Sequence, residues 1–126
     1  MGLFDVHAHL THPRLLPQVG DLLDRAAAAG VTTVISNGLN LEDNEAVRAL
    51  AAARSNVLPA FGLYPVDAVL PEMLRDGLDY PREASASSAE DCVEWVRAHA
   101  DEAIAIGEIG LDGYWVPPAY QARQEE

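Results

Sequence analysis

Segments of two kinds alternate along this chain, and the alternation restricts the fold more than any other feature. Leu3–Leu10 reads as a short strand. Leu15, Leu16, Val19, Leu22, Leu23 and Ala26 then repeat at helical spacing, with Pro13 at an early helical position and Gly30 just past the end. Val31–Ile35 is β-branched and predicts a second strand. Asn40 is placed to cap a helix with Glu42 and Asp43 in its first turn and Val47 and Leu50 on its inner face. Val57–Leu63 predicts a third strand, although Pro59 cannot donate a ladder hydrogen bond. Val66–Ser87 is punctuated by Pro71, Gly77 and Pro81 and reads as a long loop with one helical turn near Glu72–Asp76. Ser88 and Asp91 form a capping-box pattern ahead of an apolar stripe of Cys92, Val93, Val96 and Ala100. Ala103–Gly107 predicts a fourth strand, Gly110–Pro118 a loop, and Ala119–Glu126 the start of a helix.

The order βαβαβαβ calls for a parallel sheet with helical crossovers. Two architectures satisfy it: a small open doubly wound sheet, or part of an eight-stranded barrel. A complete barrel of that kind takes about 250 residues, and this chain has 126. The pattern reaches Gln121–Glu126 still inside a helical segment, so a fragment of a larger barrel is expected.

Twenty acidic residues face eight basic ones, all arginine, for a net charge of −12. That balance argues against a broad electrostatic grip on nucleic acid or an anionic membrane. It leaves room for a nucleic-acid substrate held through divalent ions, which invert the local charge. Cys92 is the only cysteine, so no disulfide forms within the chain and a reducing, cytoplasmic setting is expected. No signal peptide, membrane span or obligate protein partner is expected either.

Asp5, His7 and His9 alternate on the first strand, so all three share one face, the inner face in a barrel. Two imidazoles two residues apart at a strand's C-terminal end can bind one metal ion, where barrel active sites form. Asp5 lies deeper, either orienting a ligand or making a structural hydrogen bond. Glu108 ends the fourth strand between Gly107 and Gly110, at the level of His9. A carboxylate there can bridge two cations. His12 and His99 read as a loop residue and a helix-end residue, Trp95 and Cys92 as packing, and Trp115 as a loop anchor that could also stack on substrate. The acidic group Glu90, Asp91 and Glu94 reads as a solvated face.

Taken together, Asp5-Val-His7-Ala-His9-Leu10 and Ala105-Ile-Gly107-Glu108-Ile-Gly110-Leu-Asp112 resemble the two signature segments of the TatD-type metal-dependent deoxyribonucleases. Gly30-Val31 and Gly62-Leu-Tyr64-Pro65 fall where that family has similar segments, so the resemblance covers essentially the whole chain. It implies a TIM-type barrel, of which residues 1–126 would be the N-terminal half, about the first four β/α units of a single (β/α)8 domain. It also implies hydrolysis of DNA or another phosphodiester with two divalent metal ions, Mg²⁺, Mn²⁺ or Zn²⁺. The family's roles would make His7 and His9 ligands of one metal and Glu108 a catalytic carboxylate bridging both, with Asp112 supporting the site or contacting substrate. Tyr64 stands where the family usually has a histidine in Gly-x-His-Pro, and is the expected substrate contact. The family's remaining ligands, two histidines and an aspartate from later strands, have no counterpart here. Other readings keep the barrel but change the outcome: an ester or amide substrate such as D-aminoacyl-tRNA, or an inactive truncated fragment.

Overall fold

The computed structural model describes residues 2–126. Its strands are β1 (Leu3–Ala8), β2 (Val31–Asn37), β3 (Val57–Phe61) and β4 (Ala105–Ile106). Its helices are α1 (Val19–Ala28), α2 (Leu41–Ala53), α3 (Leu70–Arg75), α4 (Ala89–Ala98) and α5 (Pro118–Gln124). The strands form one sheet in the order β1-β2-β3-β4, every pairing parallel. This is the expected barrel-type arrangement, with about four strands present.

Local signals account for most boundaries. Asn40 accepts the Asp43 N–H at 3.1 Å and starts α2. Ser88 accepts the Asp91 N–H at 3.0 Å while the Asp91 carboxylate reaches back to the Ser88 N–H, the reciprocal cap that starts α4. Gly30 ends α1 with φ +96°, a conformation side chains disfavour. Pro13 lies outside the helix; a 3₁₀ turn at Leu16–Gln18 carrying Pro17 precedes α1 instead.

The Pro59 difficulty resolves in the register. Pro59 pairs with Ser36 of β2, and its carbonyl accepts the Ile104 N–H at 2.9 Å. Its imide nitrogen therefore faces the β4 side. A ladder bridge to Ala103 would need the N–H that proline lacks. β4 accordingly begins at Ala105, two residues later than expected, and β3 stops at Phe61 rather than Leu63.

The main core lies between the sheet and α1 and α2, around Leu10, Leu23, Val34, Leu50 and Val57. Phe61 is fully buried and meets Trp95 of α4 edge-to-face at 5.0 Å. Trp95 in turn stacks on His99 at 4.0 Å. Each large side chain buried here contributes about 2 kcal/mol.

A second core corrects the reading of Val66–Ser87 as a long loop with one helical turn. Val66, Val69, Leu70, Met73 and the distant Val116 are buried together, flanked by Tyr64, Tyr80 and Tyr120. The helical turn starts at Leu70, earlier than expected, with Pro71 in its first turn. Spacings of three and four residues bring Val66, Val69, Leu70 and Met73 to one face. Only the two later ones lie in regular helix.

β1 and β4 form the edges of the sheet. Leu3, Phe4 and Val6 on β1 and Ile104 and Ile106 near β4 are all exposed.

Candidate metal centre

The site sits at the C-terminal ends of the strands. In a flat sheet β1 and β4 would lie three strand spacings apart, roughly 14 Å. That exceeds the combined reach of a histidine and a glutamate. Yet His7 Nε2 lies 2.6 Å from Glu108 Oε1, and His9 Nε2 lies 3.3 Å from the same oxygen. The sheet therefore curls, as a barrel wall does, and brings its two edges into one site.

The donor atoms of His7, His9 and Glu108 all lie within 4.8 Å of one another, and they are the one such group among the described residues. The imidazoles meet edge-on with centroids 5.1 Å apart. His9 Nδ1 lies 3.0 Å from the Asn37 carbonyl oxygen. A carbonyl only accepts, so Nδ1 is the nitrogen that donates to it, and Nε2 is the one that faces Glu108. The Glu108 side chain is 17% exposed, and His7 is the open side at 57%. This donor set of imidazole nitrogens and a carboxylate oxygen suits a divalent ion.

Backbone packing places Glu108. A Cβ at Gly62 would collide with the Gly107 carbonyl, so only glycine lets β3 and the Gly107–Glu108 segment approach this closely. Asn44, fully buried on α2, donates to the Gly62 carbonyl at 2.8 Å and accepts the Gly62 N–H at 3.1 Å. It also lies 3.5 Å from the sulfur of Cys92. Burial pushes that thiol up to about 11. One side-chain amide thus satisfies the strand end where the sheet runs out of partners.

The remaining expected site residues fall beside this group. Asp5 accepts the His7 N–H at 3.1 Å through Oδ1, so of its two readings the hydrogen-bonding one is seen, and the residue is exposed. Asp112 is not gathered with the three donors. Its Oδ1 accepts the N–H groups of Tyr114, Trp115 and Val116 at 3.0, 2.6 and 3.2 Å and shapes the loop after Glu108. Tyr64 is half-buried; burial first, then its contact with Tyr80 and the nearby Asp112 charge, push its phenol up to about 12. It is therefore a neutral hydroxyl at ordinary pH. Trp115 meets Tyr80 edge-to-face at 5.5 Å and stays partly exposed. Glu90 and Asp91 do more than face solvent, since Glu90 pairs with Arg123 and Asp91 caps its helix.

Asn37 and Asn44 carry no signal of their own in the sequence. Asn37 precedes Gly38 at the end of β2, a common way to leave a strand, and only the fold shows its carbonyl facing His9.

A family model described as TatD related DNase matches residues 4–126. The chain belongs to the TatD-related DNase family. Human deoxyribonuclease TATDN3 is 27% identical over 113 residues, which cover 89% of this chain and 39% of that protein. A Bacillus subtilis protein named as the uncharacterized metal-dependent hydrolase YabD is 27% identical over 113 residues, 90% of this chain and 38% of its own. The crystal structure of YJJV, a TatD homolog from Escherichia coli K12, superposes with a TM-score of 0.71 at 28% identity. That match covers 98% of this chain and 42% of YJJV. The chain thus spans less than half the length of the TatD-related proteins it matches. No helix among the described residues is long and apolar enough to cross a membrane.

Proposed function

We propose that this chain supplies the first-metal end of a divalent-metal-dependent hydrolase site that cleaves phosphodiester bonds of DNA with two ions. The observation that supports this most is the convergence of His7, His9 and Glu108 from the two edges of one curled sheet. The names of its relatives, a deoxyribonuclease and a metal-dependent hydrolase, point the same way. Residues 1–126 then form the N-terminal part of a single (β/α)8 domain whose later strands carry the other ligands.

His7 and His9 would hold one ion, and Glu108 would help to hold it and a second. The chemistry such ions would supply is Lewis-acid polarisation of a phosphoryl oxygen and a lowered pKa of water. The Asn37 carbonyl keeps His9 in the ligating tautomer. Asp112 acts as a positioning residue, since its carboxylate is committed to three backbone N–H groups of the neighbouring loop. Tyr64 contacts substrate as a neutral hydrogen-bond donor, which suits a phosphate oxygen or an ester carbonyl equally. An ester-type substrate is therefore the second reading.

The test is nucleotide release from single-stranded DNA by the domain containing this chain, with Mg²⁺, Mn²⁺ or Zn²⁺. Glu108→Ala is expected to abolish release and weaken binding of both ions. Unchanged turnover in that variant would remove Glu108 from the site. Hydrolysis of model esters without any of DNA would favour the second reading.

A further inference from the structure

The face beside the metal centre carries a feature the hydrolase reading leaves unused. A cavity of about 600 Å³ is lined by His9, Thr11, His12, Asn40, Asp43 and Arg82, among others. Arg82 is the only arginine along it, in a chain with a net charge of −12 that has no lysine. A polyanion entering this cavity therefore meets a single permanent cation in a space that the candidate ligand His9 also lines.

Arg82 is held in place from below. Its Nη2 lies 2.5 Å from Asp67 Oδ1 and its Nη1 lies 2.9 Å from Asp67 Oδ2. The Asp67 side chain is 1% exposed, whereas that of Arg82 is 33% exposed. Asn40 donates to Asp67 Oδ2 at 2.9 Å while its own Oδ1 caps α2. The guanidinium also lies 5.7 Å from the centre of the Tyr64 ring. The buried carboxylate, the helix cap and the aromatic face fix where the charge sits.

The pair with Asp67 engages one N–H of each terminal nitrogen. The guanidinium's Nε–H and its outer terminal hydrogens take no part in that pair. A planar donor set with its orientation already fixed loses little entropy on meeting a phosphate. The acidic neighbours do not compete strongly for it. Asp43 already accepts from the Thr11 hydroxyl at 2.5 Å and the Leu39 N–H at 3.0 Å. Glu42 accepts from Ser85 and Ser87, which hold its carboxyl below the usual range against the opposing effect of burial.

We propose that Arg82 anchors a non-scissile phosphate of a nucleic-acid strand lying in this cavity, and so sets the strand's register on the metal centre. The inference rests on the phosphodiester reading above and deepens it. Arg82 is a binding residue distinct from the ion ligands, so the two readings can fail separately.

The experiment measures binding of a fluorescent oligothymidylate to the protein across a salt series, with divalent-ion binding followed by calorimetry on the same samples. Arg82→Gln is expected to weaken the oligonucleotide roughly tenfold. It should also make the log–log salt slope shallower by about 0.7, the value for one lost contact to a single strand. Divalent-ion affinity is expected to stay unchanged. Arg82→Lys keeps the charge and should retain the slope while losing part of the affinity. It also carries the test if Arg82→Gln fails to fold: a slope in Arg82→Lys as shallow as one lost contact would contradict the proposal. Wild-type slope and affinity in Arg82→Gln would reduce Arg82 to a tether for its loop. An equal drop for Arg97→Gln, on α4, would show a general charge effect and also overturn the proposal. A protein that binds ions but no oligonucleotide sinks the DNA reading together with this inference, whereas oligonucleotide binding unchanged in Arg82→Gln sinks this inference alone. One in which Glu108→Ala leaves ion binding intact sinks the metal-centre reading instead.

Discussion

The middle strands and the edge strands of this sheet do different work. β2 and β3 are covered: Val34, Val57, Ala60 and Phe61 are buried, and Ser36 and Asn37 at the end of β2 are buried with them. β1 and β4 are open, with Phe4, Val6 and Ile106 exposed. All three candidate ligands belong to the open edges, while the groups that aim them belong to the covered centre. Asn37 on β2 orients His9, and Asn44 under the end of β3 shapes the approach to Glu108. The centre therefore contributes stability and geometry, and the edges contribute chemistry. Separating the roles in this way lets the ligands remain accessible without loosening the frame that positions them.

That division predicts a graded set of effects. Phe61→Ala in the centre should cost about 3–5 kcal/mol, measured by urea unfolding. An effect below that of a surface substitution would show that the centre does not carry the fold. Asn44→Ala should cost about 2 kcal/mol, because it strands the Gly62 N–H and carbonyl without partners. It should also weaken divalent-ion binding although Asn44 is no ligand. Stability lost with ion affinity intact would separate the frame from the site. Ser88→Ala removes the cap of α4 and should cost about 1 kcal/mol with ion binding unaffected.

A smaller effect is confined to alkaline pH. Burial raises the Cys92 thiol to about 11, above its unfolded value of about 8.5. A raised pKa means that the folded state keeps its proton longer than the unfolded chain does. Cys92 therefore contributes stability that is fully present below pH ~8.5 and is lost as pH rises toward 11. Thermal melting of Cys92→Ala should show less of this alkaline decline than the parent protein, and an identical decline would contradict the assignment. At the open edge, Val6→Ser should change stability by no more than about 0.5 kcal/mol. A large loss there would mean that β1 is covered in solution.

The same contrast explains what the sequence revealed. The strand–helix alternation, the Asn40 and Ser88 caps and the Gly30 stop are local signals, and each lies where expected. The second core was hidden because Val116 joins Val66 and Met73 across a long stretch of chain, and Pro71 obscures the helical period. Pro59 is awkward in a central strand on sequence grounds, but its consequence, a shortened β4, depends on register, which no single strand carries. At the site, period two put His7 and His9 on one face of β1. Their meeting with Glu108 depends on the curl of the sheet; in the sequence only the family resemblance linked them. Asn37, Asn44 and Arg82 stayed invisible because an amide, a carbonyl or a guanidinium gains its role from what the fold sets against it.

Divalent-ion binding at the joined edges is the most direct consequence of this architecture. Calorimetric titration of the protein with Mn²⁺ or Zn²⁺ should show binding that falls at least about tenfold in His9→Ala and in Glu108→Ala. The unfolding free energies of the ion-free proteins should stay within about 0.5 kcal/mol of the parent. Equal affinity in the parent and both variants would contradict it, because β1 and β4 would then meet without forming a metal centre.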